Sequence, residues 1–162
     1  MATDIVIKFE GGIPIEGESQ LADPFKNLLE ATEYTEGAFS PRDAGGQGQV
    51  SGRTTVHGVT FKTLAGKHTN LLKQAMFQNM SFTKVTISFL KQIGANLQAY
   101  DVRTFTNGYV TNYDSKKGND GPAHETWTMH ATKVEWDYKP QDPGTHELQG
   151  SIVAAWNIAE SA

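Results

Sequence analysis

The sequence predicts a mainly β chain with a single helix. Several short segments alternate apolar and polar residues with period two. One stretch alone repeats its apolar residues at helical spacing, and glycine-rich polar runs separate the alternating segments. Period two places successive side chains on opposite faces of a sheet, whereas a recurrence near 3.6 builds a helical stripe.

The first strand is predicted at Asp4 to Phe9, with Ile5, Ile7 and Phe9 on one face. Leu28 to Tyr34, Thr54 to Thr63, Leu97 to Phe105, Tyr109 to Tyr113 and Ser151 to Ile158 are further strand segments. Val85, Ile87 and Phe89 alternate against Lys84, Thr86 and Ser88. Trp127 to Tyr138 is long and changes parity: Trp127, Met129 and Ala131 share one face, Val134, Trp136 and Tyr138 the other. The change near Thr132 predicts a bulge or a passage from one sheet to another. The helix is predicted over Thr69 to Met80, from the spacing of Leu71, Leu72, Ala75, Met76 and Met80, with Thr69 as N-cap and Asn79 near its end. Met76 and Met80 are read as core rather than as ligands.

Three polar runs connect these elements. Phe39 to Arg53 holds Gly45, Gly46, Gly48 and Gly52 and predicts a long excursion of the kind that is usually functional or disordered. Asp114 to Pro122 and Pro140 to Gly150 read as ordinary connections between strands.

The chain has 162 residues, a length that fits one domain spanning 1–162, and its 8 Phe, 5 Tyr and 3 Trp supply a core. The absence of cysteine excludes disulfides, thiolate metal cages and a cysteine nucleophile. The formal net charge is -4 with no basic stripe, which argues against nucleic-acid binding. Met1 to Lys8 lacks a basic n-region followed by an apolar h-region, and no run approaches the roughly 20 apolar residues of a membrane span. Neither export by the usual signals nor membrane insertion is expected.

Motifs for chemistry fail on spacing. Between Gly48 and Gly52 a P-loop would need one more residue and a following lysine, and a strand rather than a helix is expected next. A dinucleotide fingerprint fails because Ser51 stands where the third glycine belongs. His124 and His130 lie six residues apart on a predicted strand, roughly 20 Å at about 3.3 Å per residue, too far to share a metal. His57, His68 and His146 have no ligand pattern either, so the histidines are expected to be solvated or singly bonded. Glu30, Glu33 and Glu36, like Glu135 and Asp137, read as a solvated or pore-lining acidic face without partners. No Gly-x-Ser-x-Gly elbow is present. The expectation is therefore no catalytic residue, no metal and no cofactor, and no enzyme.

Over nearly its whole length the chain resembles the haemolysin-coregulated protein (Hcp) family, the tube protein of the bacterial type VI secretion system. The opening DIVIKFEGGIPIEGES is similar to the family's first strand and Gly-Glu-Ser turn, here Gly17, Glu18 and Ser19. VTFKTLAGKHTNLLKQAMFQNMSFTKVTISFLKQIG matches its strand, helix and strand, anchored at Phe61, Lys62, Leu71 and Leu72. The segment Val134 to Gln141 resembles its aromatic strand, and Trp156, Asn157 and Ile158 its terminal Trp-Asn element.

The resemblance implies a β-barrel of two packed sheets with one flanking helix, assembling as a hexameric ring. Such rings stack into a tube that the apparatus draws from the cytoplasm and expels. It implies contacts with sheath and spike or baseplate proteins, and small effectors carried in the lumen. It further implies that the loop near 39–53, through Arg42, Asp43, Gln47, Gln49 and Arg53, contacts neighbouring subunits or rings. Thr32 and Tyr34, on one parity of the second strand, are candidates for the channel wall. The alternative reading is a tail-tube subunit of a phage-like contractile particle.

Overall fold

A computed structural model describes residues 5–41 and 54–158. Eleven strands and one helix follow each other as β1 (Ile5–Glu10), β2 (Leu29–Ala31), β3 (Glu33–Thr35), β4 (Ala38–Phe39), β5 (Thr55–Val56), β6 (Val59–Leu64), α1 (His68–Phe77), β7 (Phe82–Ile93), β8 (Asn96–Lys116), β9 (His124–His130), β10 (Lys133–Tyr138) and β11 (Ile152–Asn157). The two packed sheets and flanking helix are those of the expected barrel class.

One sheet, sheet A, runs β2-β1-β7-β8-β10-β11, and the other, sheet B, runs β3-β6-β9-β8. Strand β8 belongs to both. Its first part pairs with β10 and β7, and its last part, from Tyr109 to Lys116, pairs with β9. The sequence predicts two strands here, Leu97 to Phe105 and Tyr109 to Tyr113. In the structure Asn107 takes a left-handed φ of 53° and the strand bends there without stopping.

On the opposite side of the barrel the predicted single strand Leu28 to Tyr34 is divided at Thr32. Residues before it pair with β1 in sheet A, and residues after it pair with β6 in sheet B. Thr32 bridges the division, with both its N–H and its hydroxyl donating to the Lys62 carbonyl. The parity change expected near Thr132 is real and has the same meaning: β9 lies in sheet B and β10 in sheet A.

The core follows from register. Across sheet A, Phe9, Val85, Phe105 and Val134 form one inward row. Across sheet B, Tyr34, Phe61, Trp127 and Tyr113 form another. Phe61, Trp127, Phe82, Leu72 and Val134 are wholly buried between the sheets. A smaller cluster of Val6, Phe25 and Leu90, with Leu21, Leu28 and Leu97 against it, covers the outer face of sheet A. The segment between β1 and β2 is folded back there by hydrogen bonds from Gly17 to Asn27 and from Ser19 to Leu28. Gly17 is required at that crossing, since a Cβ would lie 2.3 Å from the Leu28 carbonyl oxygen.

The helix is shorter than its apolar spacing suggests. It opens after Lys67 with no side-chain cap, and Thr69 lies within its first turn. It ends at Phe77, with Asn79 in a left-handed conformation just beyond. Leu72 and Ala75 enter the core, and Met76 and Met80 pack against it as expected.

Candidate functional site

Three arrangements distinguish the described residues. The first lies inside one end of the barrel, where β6, β9 and α1 meet. Register places Thr63 opposite Glu125 on the inward side, in a row that sequence alternation would fill with apolar residues. Both are about 1% exposed, and His68 is 4% exposed. The Thr63 hydroxyl donates to Glu125 Oε1 at 3.2 Å and accepts from Trp127 Nε1 at 3.1 Å. The Thr69 hydroxyl donates to the same carboxylate oxygen at 2.9 Å and accepts from the Gly66 N–H. His68 Nε2 stands 3.1 Å from Thr63 Oγ1 and 3.4 Å from Glu125 Oε1. Because the single Thr63 proton goes to Glu125, Nε2 is the ring nitrogen that carries hydrogen. Burial lowers the His68 pKa, against the pull of the Glu125 and Glu18 charges.

The second arrangement lies on the inward face of sheet A and is centred on Arg103. Its guanidinium donates to Asp101 and Glu36, and stacks over the rings of Phe89 (4.6 Å) and Tyr34 (5.1 Å). Trp136 Nε1 donates to the other oxygen of Glu36 at 2.9 Å. Burial opposes the Arg103 charge, but Asp101 and Glu36 outweigh it and raise its pKa. Burial, with the Glu36 charge added, pushes the Tyr34 phenol far up, so it stays protonated.

The third arrangement is on the surface. The outer face of sheet B carries Glu33, Lys62, Thr126 and Asp114 in one row and Thr35, Thr60, Thr128 and Asn112 in the next. These rows are polar, Leu64 and Tyr109 lie exposed in rows beside them, and the face holds a shallow depression of roughly 700 Å³. Sheet B has no strand beyond β3 at one side and none beyond the last part of β8 at the other, among the described residues. Among the described residues sheet A ends at β11, which pairs with β10 and exposes Ile152 and Val153 on its two faces.

The expected site residues fare differently. Thr32 is exposed beside the polar face of sheet B. Tyr34 does not share its side: because the strand divides at Thr32, parity is lost, and the Tyr34 ring packs edge-on against Phe89 in the interior. Glu33 takes the outward place instead, paired with Lys62 at 3.3 Å. Arg42, Asp43, Gln47, Gln49 and Arg53 lie outside the described residues. One expectation is corrected. Glu36 is not a partnerless surface acid, because Arg103 and Trp136 approach it from sheet A. Of the two places expected for the histidines, solvated or singly bonded, His68 takes the bonded one, because the first turn of α1 carries it into the barrel.

No group of three or more metal-ligating side chains occurs among the described residues, and no described helix is long and apolar enough to cross a membrane. The fold thus defines a small two-sheet barrel protein whose surface features are open sheet edges and a flat polar face. The family model described as "Type VI secretion system effector, Hcp" matches residues 6–138, and the chain belongs to that family of type VI secretion tube proteins.

Solved structures agree in fold. The chain is similar to a type six secretion system protein at 23% identity, covering 99% of each chain with a TM-score of 0.86. It is similar to Hcp1 from Salmonella typhimurium at 23% identity, covering 99% of this chain and 98% of that one, with a TM-score of 0.77. A type VI secretion system effector from Yersinia pestis matches at 21% identity, over 95% of this chain and 99% of that one, with a TM-score of 0.74. No curated protein matches by sequence.

Proposed function

We propose that this tube protein assembles head to tail into hexameric rings, that the rings stack, and that the outer face of sheet B lines the lumen. The observation that carries this reading is the pair of open edges of sheet B. β3 and the last part of β8 lie at opposite sides of one four-stranded sheet. A copy whose β3 meets its neighbour's β8 satisfies unpaired backbone groups on both and repeats around a closing rotation. The resulting wall presents Thr32, Glu33, Lys62, Thr60, Asn112 and Asp114, a surface suited to a wet channel.

On the same reading the loop bearing Arg42, Asp43, Gln47, Gln49 and Arg53 reaches the adjacent ring or subunit. The lumen carries small effector proteins. Sheath and spike or baseplate proteins are the other partners of a tube that is taken from the cytoplasm and expelled. Tyr34 supports the wall from behind.

Light scattering and negative-stain images test the ring. The chain has no native cysteine, so paired substitutions give a clean second test. Glu33→Cys or Thr35→Cys, combined with Asn112→Cys or Asp114→Cys, should yield an oxidised ladder ending at a closed hexamer, since bridging needs Cα atoms within about 7 Å. A monomer by light scattering, with no ladder from any pairing, overturns the proposal.

A further inference from the structure

The cluster at the start of α1 is more elaborate than anchoring a ten-residue helix requires. Leu72 and Ala75 already bury the apolar side of the helix. Its first turn is held by a different device. The helix has no cap of its own, and β9 supplies the carboxylate of Glu125, which receives the Thr69 hydroxyl from within that turn. β6 supplies Thr63, whose two acceptor positions are filled by Trp127 Nε1–H and His68 Nε2–H. Every proton in the cluster therefore has one place.

That arrangement is complete with a neutral imidazole. A second proton must enter at Nδ1, on the side of Gly66. Glu18, from the segment after β1, faces the same place: a Cβ on Gly66 would lie 3.3 Å from Glu18 Oε2 and 3.4 Å from His68 Nδ1. The charged groups acting on the ring are thus Glu125 at the Nε2 side and the exposed Glu18 at the Nδ1 side. Both favour a cation. A ring 4% exposed and set against Trp127 nevertheless loses more hydration on charging than one buried carboxylate and one exposed carboxylate restore.

We propose that His68 is a proton-sensitive latch: neutral, it fastens the first turn of α1 to β6 and β9, and on protonation the turn is released toward solvent. The sign follows from linkage. The folded pKa is lowered, so the released form binds the proton more readily. The latch is fully closed above the free value of about 6.5 and loosens as pH falls below it.

The experiment is hydrogen exchange, read by mass spectrometry on peptides covering 68–77, which works in any state of assembly. The wild-type chain and His68→Gln are compared between about pH 8 and pH 5.5, after correction for intrinsic exchange rates. Gln keeps an N–H donor and cannot titrate. Wild-type protection in α1 should fall by up to about tenfold at one pH unit below the free histidine value, with no matching fall in the variant. Equal pH dependence in the two, or protection that rises on acidification, overturns the latch. Should His68→Gln not fold, the His68 imidazole of the wild-type chain is titrated by NMR. A pKa below about 6.5 with hydrogen on Nε2 in the neutral ring supports the latch. A higher value, or the other tautomer, overturns it.

Discussion

Thr63→Val probes the buried cluster at its centre. The substitution keeps the branched shape and removes only the hydroxyl, so no cavity contributes. Three partners lose it: Trp127 Nε1–H, wholly buried; Glu125 Oε1, which accepts its proton; and His68 Nε2–H, which keeps Glu125 at 3.4 Å. A buried neutral donor left unpaired costs about 1–3 kcal/mol, and a hydrogen bond to a charged group contributes about 1.5–3 kcal/mol. The methyl that replaces the hydroxyl returns about 0.8 kcal/mol of apolar burial. One oxygen serves all three partners, so the losses do not simply add, and the net expectation is about 2–4 kcal/mol. The comparison is Thr60→Val, on the outer face of the same strand, which should stay within about 0.5 kcal/mol of wild type. Urea unfolding at about pH 8 and fixed protein concentration reads both, with an unchanged slope required for the comparison. A loss for Thr63→Val of less than about 1 kcal/mol, or equal to that of Thr60→Val, would refute the claim that this hydroxyl organises the cluster.

Two further predictions concern the links between the sheets. Arg103→Met leaves the Asp101 and Glu36 carboxylates facing each other without their cation and should cost about 2–3 kcal/mol, less than the ~3–5 kcal/mol of a fully buried pair because the side chain is 19% exposed. Arg103→Lys should recover only part of this in thermal unfolding, since an ammonium cannot reach both acids in the same planar fork. Gly108→Ala places a Cβ 2.9 Å from Val85 Cγ2 and 3.2 Å from Met129 Sδ, with an expected loss of about 1–3 kcal/mol. Adding Val85→Ala should give a double variant at least about 0.5 kcal/mol more stable than the sum of the single losses, and strict additivity in urea titrations would contradict the contact.

How much was legible depends on whether a feature is local. Ile5, Ile7 and Phe9 alternate because one face of β1 meets the core, and the parity change at Thr132 is visible because a strand that changes sheets must change its buried side. The division at Thr32 leaves no such trace. Only the position of Lys62, thirty residues away, decides that Thr32 bonds to β6 and that Tyr34 turns inward. Thr69 has the composition of an N-cap, yet its hydroxyl is claimed by Glu125 from β9, and that tertiary bond moves it inside the helix. Glu36 reads as a surface acid for the same reason: its partners, Arg103 and Trp136, lie on other elements. Glu125 could have been suspected from its place between His124 and Thr126, two residues before Trp127, on the strict alternation of β9, which puts it on the inward side. Which strands lie at the ends of the sheets is a property of sheet order and has no counterpart in the periodicity of any one strand.

The open edges are also unlike one another, and that difference bears on assembly. Edge strands of solitary proteins are usually kept from pairing by charge, proline or bulges. The edges of sheet B follow this in part: β3 carries Glu33 and β8 carries Asp114 and Lys116 beside its end, so association there is selective for a complementary polar neighbour. β11 does not follow it at all. Its sequence IVAAWN contains neither charge nor proline, and Ile152 is 65% exposed while Val153 is 55% exposed. Ile152 lies across from Tyr138, on the side that continues the inward face of sheet A, and Val153 lies across from Asp137 on the other. Ile152 and Val153, exposed on opposite faces at the end of a sheet, would be an aggregation hazard in a lasting monomer. In the ring proposed above, the polar edges of sheet B would set which copy docks and in what register, and this apolar pair at the rim of sheet A would add buried area to the contact.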